Sequence, residues 1–147
     1  MSELFVSIKR LDPSVELPSY AYEGDAGLDL RANADVVIEP YQRVLIPTGL
    51  AIAIPDGYAG FVQPRSGMAL KQGLSIANTP GLIDAHYRGE LKVIAVNLDS
   101  ENAIHIERGE RIAQLVIQKV PVVHLVEVDE LDETDRGCGG FGSSGSK

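Results

Sequence analysis

Apolar and polar positions along this chain change over in short runs rather than at helical spacing. The runs Leu4–Lys9, Val36–Glu39, Arg43–Pro47, Leu50–Ile54, Tyr58–Gln63, Leu91–Leu98, Ala103–Ile106, Ile112–Lys119 and Val122–Val128 are rich in β-branched residues and each predicts a strand. Turn chemistry stands between them, in Glu39-Pro40, Pro55-Asp56-Gly57, Asp99–Asn102 and Arg108-Gly109-Glu110. That spacing is the one expected of an all-β sandwich or barrel. One segment departs from it. Ser66–Gln72 predicts a short helix, with Ser66 placed to cap its first turn and Gly73 its last. No internal repeat interrupts the pattern.

Two stretches carry more than fold information. Gly81–Glu90 has glycine near both ends and follows Asn78-Thr79-Pro80, so it predicts a short hairpin whose tip, with Asp84 and Tyr87, faces a cleft. A carboxylate among apolar neighbours at such a tip can act as a base; an ordinary hairpin with an exposed aspartate is the plain alternative. After Val128 the composition shifts abruptly. Residues 1–128 read as one β domain, 129–135 as an acidic linker, and 136–147 as a glycine- and serine-rich arm that cannot pack as a core element. A functionless end is the plain reading of that arm, yet Arg136 is a phosphate-binding fork and Phe141 a stacking face that a pure linker has no reason to carry.

Composition narrows the field. A chain of 147 residues, 44% of them apolar, suffices for one domain with a real core. A formal net charge of -8 repels a phosphate backbone, which argues against a nucleic-acid partner and leaves room for a local basic pocket. The single cysteine, Cys138, makes no internal disulfide and lacks a basic setting, so it is assigned no nucleophilic role. With no signal peptide and no apolar run of membrane-spanning length, a cytoplasmic location with no membrane partner is expected. His86, His105 and His124 lie too far apart to make metal-ligand spacing.

Five segments in order, Gly24–Leu30, Pro64–Ala69, Asn78–Glu90, Gly109–Leu115 and Arg136–Gly145, resemble the five motifs of the homotrimeric deoxyuridine triphosphatases, the dUTPases. Any one would be weak evidence; five in the right order, with strand patterns between them, span nearly the whole chain. The resemblance implies a jelly-roll-like β fold and a threefold homotrimer with sites between subunits. It also implies hydrolysis of dUTP to dUMP and pyrophosphate with Mg2+, which limits uracil incorporation into DNA and supplies dUMP for thymidylate synthesis. The C-terminal arm of one chain would close over a site built by two others.

Site roles follow residue by residue. Asp84 is the candidate base that takes a proton from water attacking the α-phosphate. Tyr87 is implied to lie beside the sugar and leave no room for a 2′-hydroxyl, while Asn78 and the backbone near Leu82 and Ile83 read uracil. Arg65, Ser66 and Gly67 form a phosphate grip, Gln114 adds a neutral donor, and Lys92 contacts substrate by family position. Arg136, Phe141, Gly142 and Ser143 belong to the closing arm. Asp29 is the metal-side residue, touching the water shell of a magnesium ion held mainly by the substrate; Arg111 is expected to pair with an acid and hold its strand, and Asp25 to be a loop acid. Two other readings stay open at this stage: a dCTP deaminase-type relative, and a catalytically silent nucleotide-binding trimer.

Overall fold

The computed structural model describes residues 3–147. Ten strands and one helix follow in the order β1 (Ser7–Arg10), β2 (Leu28–Arg31), β3 (Val36–Ile38), β4 (Arg43–Ala53), β5 (Tyr58–Gln63), α1 (Ser66–Gln72), β6 (Leu74–Ile76), β7 (Gly81–Ile83), β8 (Glu90–Asn97), β9 (Ile104–Ile106) and β10 (Arg111–Lys119). They make one four-stranded sheet in the order β1-β4-β8-β6, a second in the order β2-β10-β5-β7, and a β3-β9 ribbon. Neighbouring strands run antiparallel throughout these sheets. The all-β class expected from the run pattern, and the jelly-roll-like fold that the resemblance implies, are therefore the observed ones.

Period-two alternation is what buries the core. In β8, Leu91, Val93, Ala95 and Asn97 point inward while Lys92 faces out. Leu30, Ile46, Leu50, Ile54, Ile106, Ile112 and Leu115 are essentially inaccessible, and each such side chain contributes about 1.5–3 kcal/mol relative to exposure. The two fully buried polar side chains are satisfied. Thr48 Oγ1 donates to Leu91 O at 2.6 Å, and Asn97 Nδ2 donates to Ile38 O and Asn102 O, both at 2.9 Å.

Several boundaries differ from the sequence reading. Arg43–Pro47 and Leu50–Ile54 form one strand, β4, because Pro47-Thr48-Gly49 makes a bulge rather than a turn: the register to β8 shifts between Pro47 and Ala51, and Gly49 takes φ 73°. Ser66 does not cap the helix. Arg65 occupies that position without a side-chain cap bond and Ser66 starts the first turn, whereas Gly73 closes the helix in the left-handed region as expected. The short strands β2 and β6 were not anticipated, being too brief to show alternation of their own. Leu4–Lys9 pairs only from Ser7 onward. Val122–Val128 forms no strand: the chain has left both sheets after β10, so the run has no neighbour to ladder with, and Val122, Leu125 and Val126 are at least four-fifths exposed. Among the described residues, no helix is long and apolar enough to cross a membrane.

Candidate active site

The predicted site residues fall into two hollows and an arm. The first hollow, about 380 Å³, opens between β7 and β8 and is lined by Asn78, Leu82, Ile83, Asp84, Tyr87 and Lys92 over a floor that includes Val62 and Leu91. Strand β7 pairs with β5 alone, in the register Gly60↔Ile83, Phe61↔Leu82 and Val62↔Gly81, and forms the edge of its sheet, while β8 pairs with β4 and β6 in the other sheet; Gly81–Glu90 is therefore not the expected hairpin but a connection between sheets, because each strand finds its partner elsewhere. One side of its backbone is thus open to a ligand. The tip beyond it is held by its own contacts. Tyr87 N–H donates to Asp84 O at 3.1 Å, and Arg88 Nη1 donates to Ala85 O at 2.7 Å and to Tyr87 O at 3.1 Å.

Those contacts leave the chemistry-bearing groups displayed. The Asp84 carboxylate has no side-chain hydrogen bond or ion pair with any described residue, so its lone pairs are free for water rather than spent on turn amides. Tyr87 Oη donates to Glu90 O at 2.8 Å, which fixes its ring as one wall of the hollow. Glu90 is itself fixed, since its Oε2 accepts from Gly49 N–H at 3.2 Å across the bulge in β4. Sequence reasoning passed over Arg88, Gly89 and Glu90, whose only signal was membership of the same turn. His86 Nε2 lies 2.7 Å from Asp56 Oδ1 on the outer surface, in keeping with a surface role.

The second hollow, about 410 Å³, is lined by Asp25, Gly27, Asp29, Arg65, Ser66, Gly67 and Gln114 among others. Asp29 is its hub. Arg65 Nε lies 3.7 Å from Asp29 Oδ1 and Arg111 Nη1 lies 3.4 Å from Oδ2, and Arg65 Nη1 also donates to Arg111 O at 3.1 Å. The expected pairing of Arg111 with an acid is therefore observed, and the acid is Asp29. Gln114 Nε2 donates to Pro64 O at 3.0 Å, so one of its two amide hydrogens is already engaged. Asp25 accepts from Tyr22 N–H at 2.9 Å, a loop contact as expected.

No group of three or more His, Cys, Asp or Glu residues suited to a metal ion occurs among the described residues. Asp29, flanked by two guanidiniums, and Asp25, which accepts from Tyr22 N–H, do not make a cage for a cation. A hard cation that arrives on a polyphosphate and keeps its water needs no such cage.

The arm stands apart from both hollows. Arg136 Nε donates to Gly139 O at 2.9 Å, Ser143 N–H donates to Gly140 O at 3.0 Å, Phe141 is fully exposed, and Gly142 has φ 87°. The two hollows share no lining residue and the arm lines neither, so one chain does not assemble the predicted residues into a single site.

Comparison with known proteins bears directly on this arrangement. The dUTPase family model matches residues 14–145. The deoxyuridine 5'-triphosphate nucleotidohydrolase of Corynebacterium diphtheriae is 58% identical over 140 residues, covering 95% of this chain and 92% of that protein. Among solved structures, the dUTPase of Staphylococcus bacteriophage 80alpha with dUPNHPP superposes with a TM-score of 0.88 at 34% identity, over 97% of this chain and 99% of that one. A mutant dUTPase from phage phi11 of S. aureus, described for its coordination of a structural Mg(II) ion, gives 0.81 at 28% identity over 88% and 100%. With its family model matched over nearly its whole length and a close relative aligned end to end, this chain belongs to the dUTPase family.

Proposed function

We propose that this enzyme hydrolyses dUTP to dUMP and pyrophosphate, with Asp84 as the base. The observation that carries the reading is the unpartnered Asp84 carboxylate at the lip of the hollow formed by β7, Asn78 and Tyr87. A carboxylate whose lone pairs are not engaged by protein donors is placed to accept a proton from an attacking water. The water oxygen forms a bond to the α-phosphorus, its proton passes to Asp84, and the bond from the α-phosphorus to the α,β-bridging oxygen breaks, so that this oxygen leaves with pyrophosphate.

Specificity lies in the first hollow. Asn78 and the open backbone edge at Leu82 and Ile83 offer donors and acceptors to uracil; cytosine, with a donor where uracil has an acceptor, would leave a group unpaired at a cost of about 1–3 kcal/mol. Tyr87 walls off the 2′ position of the sugar, and Lys92 contacts substrate from β8. The triphosphate is gripped in the second hollow by Arg65, Ser66, Gly67 and Gln114. Mg2+ bound to the phosphates would neutralise their charge, and Asp29 would hold its outer waters.

A trimer joins the parts. The separation of the two hollows and the exposure of Val122, Leu125 and Val126 both favour an assembly in which neighbours supply the missing groups. In it, the β domain ends with β10 at Lys119, short of the expected residue 128, segments 120–128 and 129–135 lead away from it, and 136–147 form the arm that closes with Phe141 on uracil and Arg136, Gly142 and Ser143 on the phosphates. A free thiol and a free-nucleotide substrate fit a cytoplasmic enzyme. The test is incubation with dUTP, UTP and dCTP in the presence of Mg2+, with pyrophosphate and ammonia read separately. Pyrophosphate from dUTP alone is expected. Ammonia from dCTP, or comparable turnover of UTP, would overturn the assignment.

A further inference from the structure

We propose that Gly89 is a positioning residue for sugar selection, acting by leaving the space that the Tyr87 ring occupies; this rests on the reading that Tyr87 excludes the ribose 2′-hydroxyl. The three heavy atoms closest to an added β-carbon at Gly89 all belong to Tyr87: Oη, then Cζ at 2.6 Å and Cε1 at 3.0 Å. The phenol edge thus lies folded across the glycine and is secured there by the bond from Oη to Glu90 O at 2.8 Å. Glu90 is anchored in turn to Gly49 N–H in the β4 bulge, so the ring is referenced to the body of the fold and not only to its own turn.

Gly89 does not need glycine for its backbone, since its φ lies outside the left-handed region. The φ of this position therefore does not exclude alanine, and the atoms nearest its methyl group are those of the Tyr87 ring. Tyr87 is 46% exposed, so its ring has room to swing toward solvent without disturbing the core. A swung ring opens the 2′ position. The dUTP over UTP preference should then fall while the fold persists.

The experiment compares kcat/KM for dUTP and UTP in the full chain, in Gly89→Ala, in Tyr87→Ala and in the double variant, with thermal melts run alongside. Gly89→Ala is expected to lower the dUTP/UTP ratio by roughly tenfold or more, near the low end of what one added carbon is worth in a pocket, without shifting the melt. In the Tyr87→Ala background it should change the ratio no further, because the two substitutions act on one ring. A wild-type ratio in Gly89→Ala, or an equal drop in both backgrounds, overturns the proposal. An unchanged ratio in Tyr87→Ala instead removes the sugar role of Tyr87, and the proposal with it. Should Gly89→Ala fail to fold, the double variant decides: with the ring gone the alanine has nothing of Tyr87 to displace, so the fold must return, and a double variant that also fails to fold overturns the positioning claim.

Discussion

Asp84 and Asp29 have the same side chain in opposite settings. The Asp84 carboxylate has no partner among the described residues, whereas both oxygens of the Asp29 carboxylate face guanidiniums. The first is suited to accept a proton and the second to hold charge in place. Asp84→Asn is therefore expected to retain binding of a non-hydrolysable dUTP analogue and to lose about 10²- to 10⁴-fold in kcat, since an amide of the same shape cannot take the proton from water. Titration calorimetry with the analogue and a pyrophosphate assay check both halves; near-normal turnover would remove Asp84 as the base. The identity of Asp84 as a candidate was legible from its turn sequence. Its freedom from partners was not, because whether a turn amide or a distant arginine reaches a carboxylate depends on how the chain is brought back on itself.

At the scale of elements, the turns carry the fold's local constraints. Gly73 ends α1 at φ 75°, and a β-carbon there would meet Asp99 N at 2.9 Å. Gly73→Ala is expected to destabilise the protein by about 1–2 kcal/mol from the left-handed conformation alone, seen as a lower urea midpoint with unchanged slope. Another constraint gathers around Asp12, after β1. The Ser14 hydroxyl and amide bind its Oδ1 at 2.7 and 2.9 Å, while Arg108, from the turn between β9 and β10, reaches Oδ2 at 3.3 Å, Ser14 Oγ, and Asn33 Oδ1 at 3.0 Å. Chiefly through Ser14, the Asp12 carboxyl is lowered from 3.8 to about 2. A carboxyl lowered on folding adds stability above its unfolded value, and that stability is lost as the pH falls through the folded one. The contribution is thus complete above pH 3.8 and disappears toward pH 2. Asp12→Asn should lower the melting temperature above that window, flatten its fall across the window, and leave the value near pH 2 unchanged. Glycine at a helix end was readable in sequence; the Asp12 cluster, which spans 96 positions between Asp12 and Arg108, was not.

At the scale of the molecule, the arm and the assembly are tested together. Removal of all residues after Asp135 is expected to leave a folded protein whose light-scattering mass is about three times that of the shortened chain, with turnover greatly reduced because the closing groups are gone. Full turnover by the truncated protein would return the arm to a functionless end, and a monomer mass would overturn the shared site. The sequence by itself determined the all-β class, the helix at Ser66–Gln72 and the family, because alternation, turn residues and motifs are local and survive without a fold. Only tertiary structure decided that Pro47-Thr48-Gly49 is a bulge within one strand, that Val122–Val128 leaves the body unpaired, and that Asp29 holds Arg65 and Arg111. It also decided that the Tyr87 ring lies against Gly89 and bonds Glu90 O, and that the β7–β8 connection and the Arg65–Gly67 segment line separate hollows. Each of these depends on which distant segment arrives beside a given residue, and a strand, an ion pair or a cavity wall exists only once both of its sides are in place.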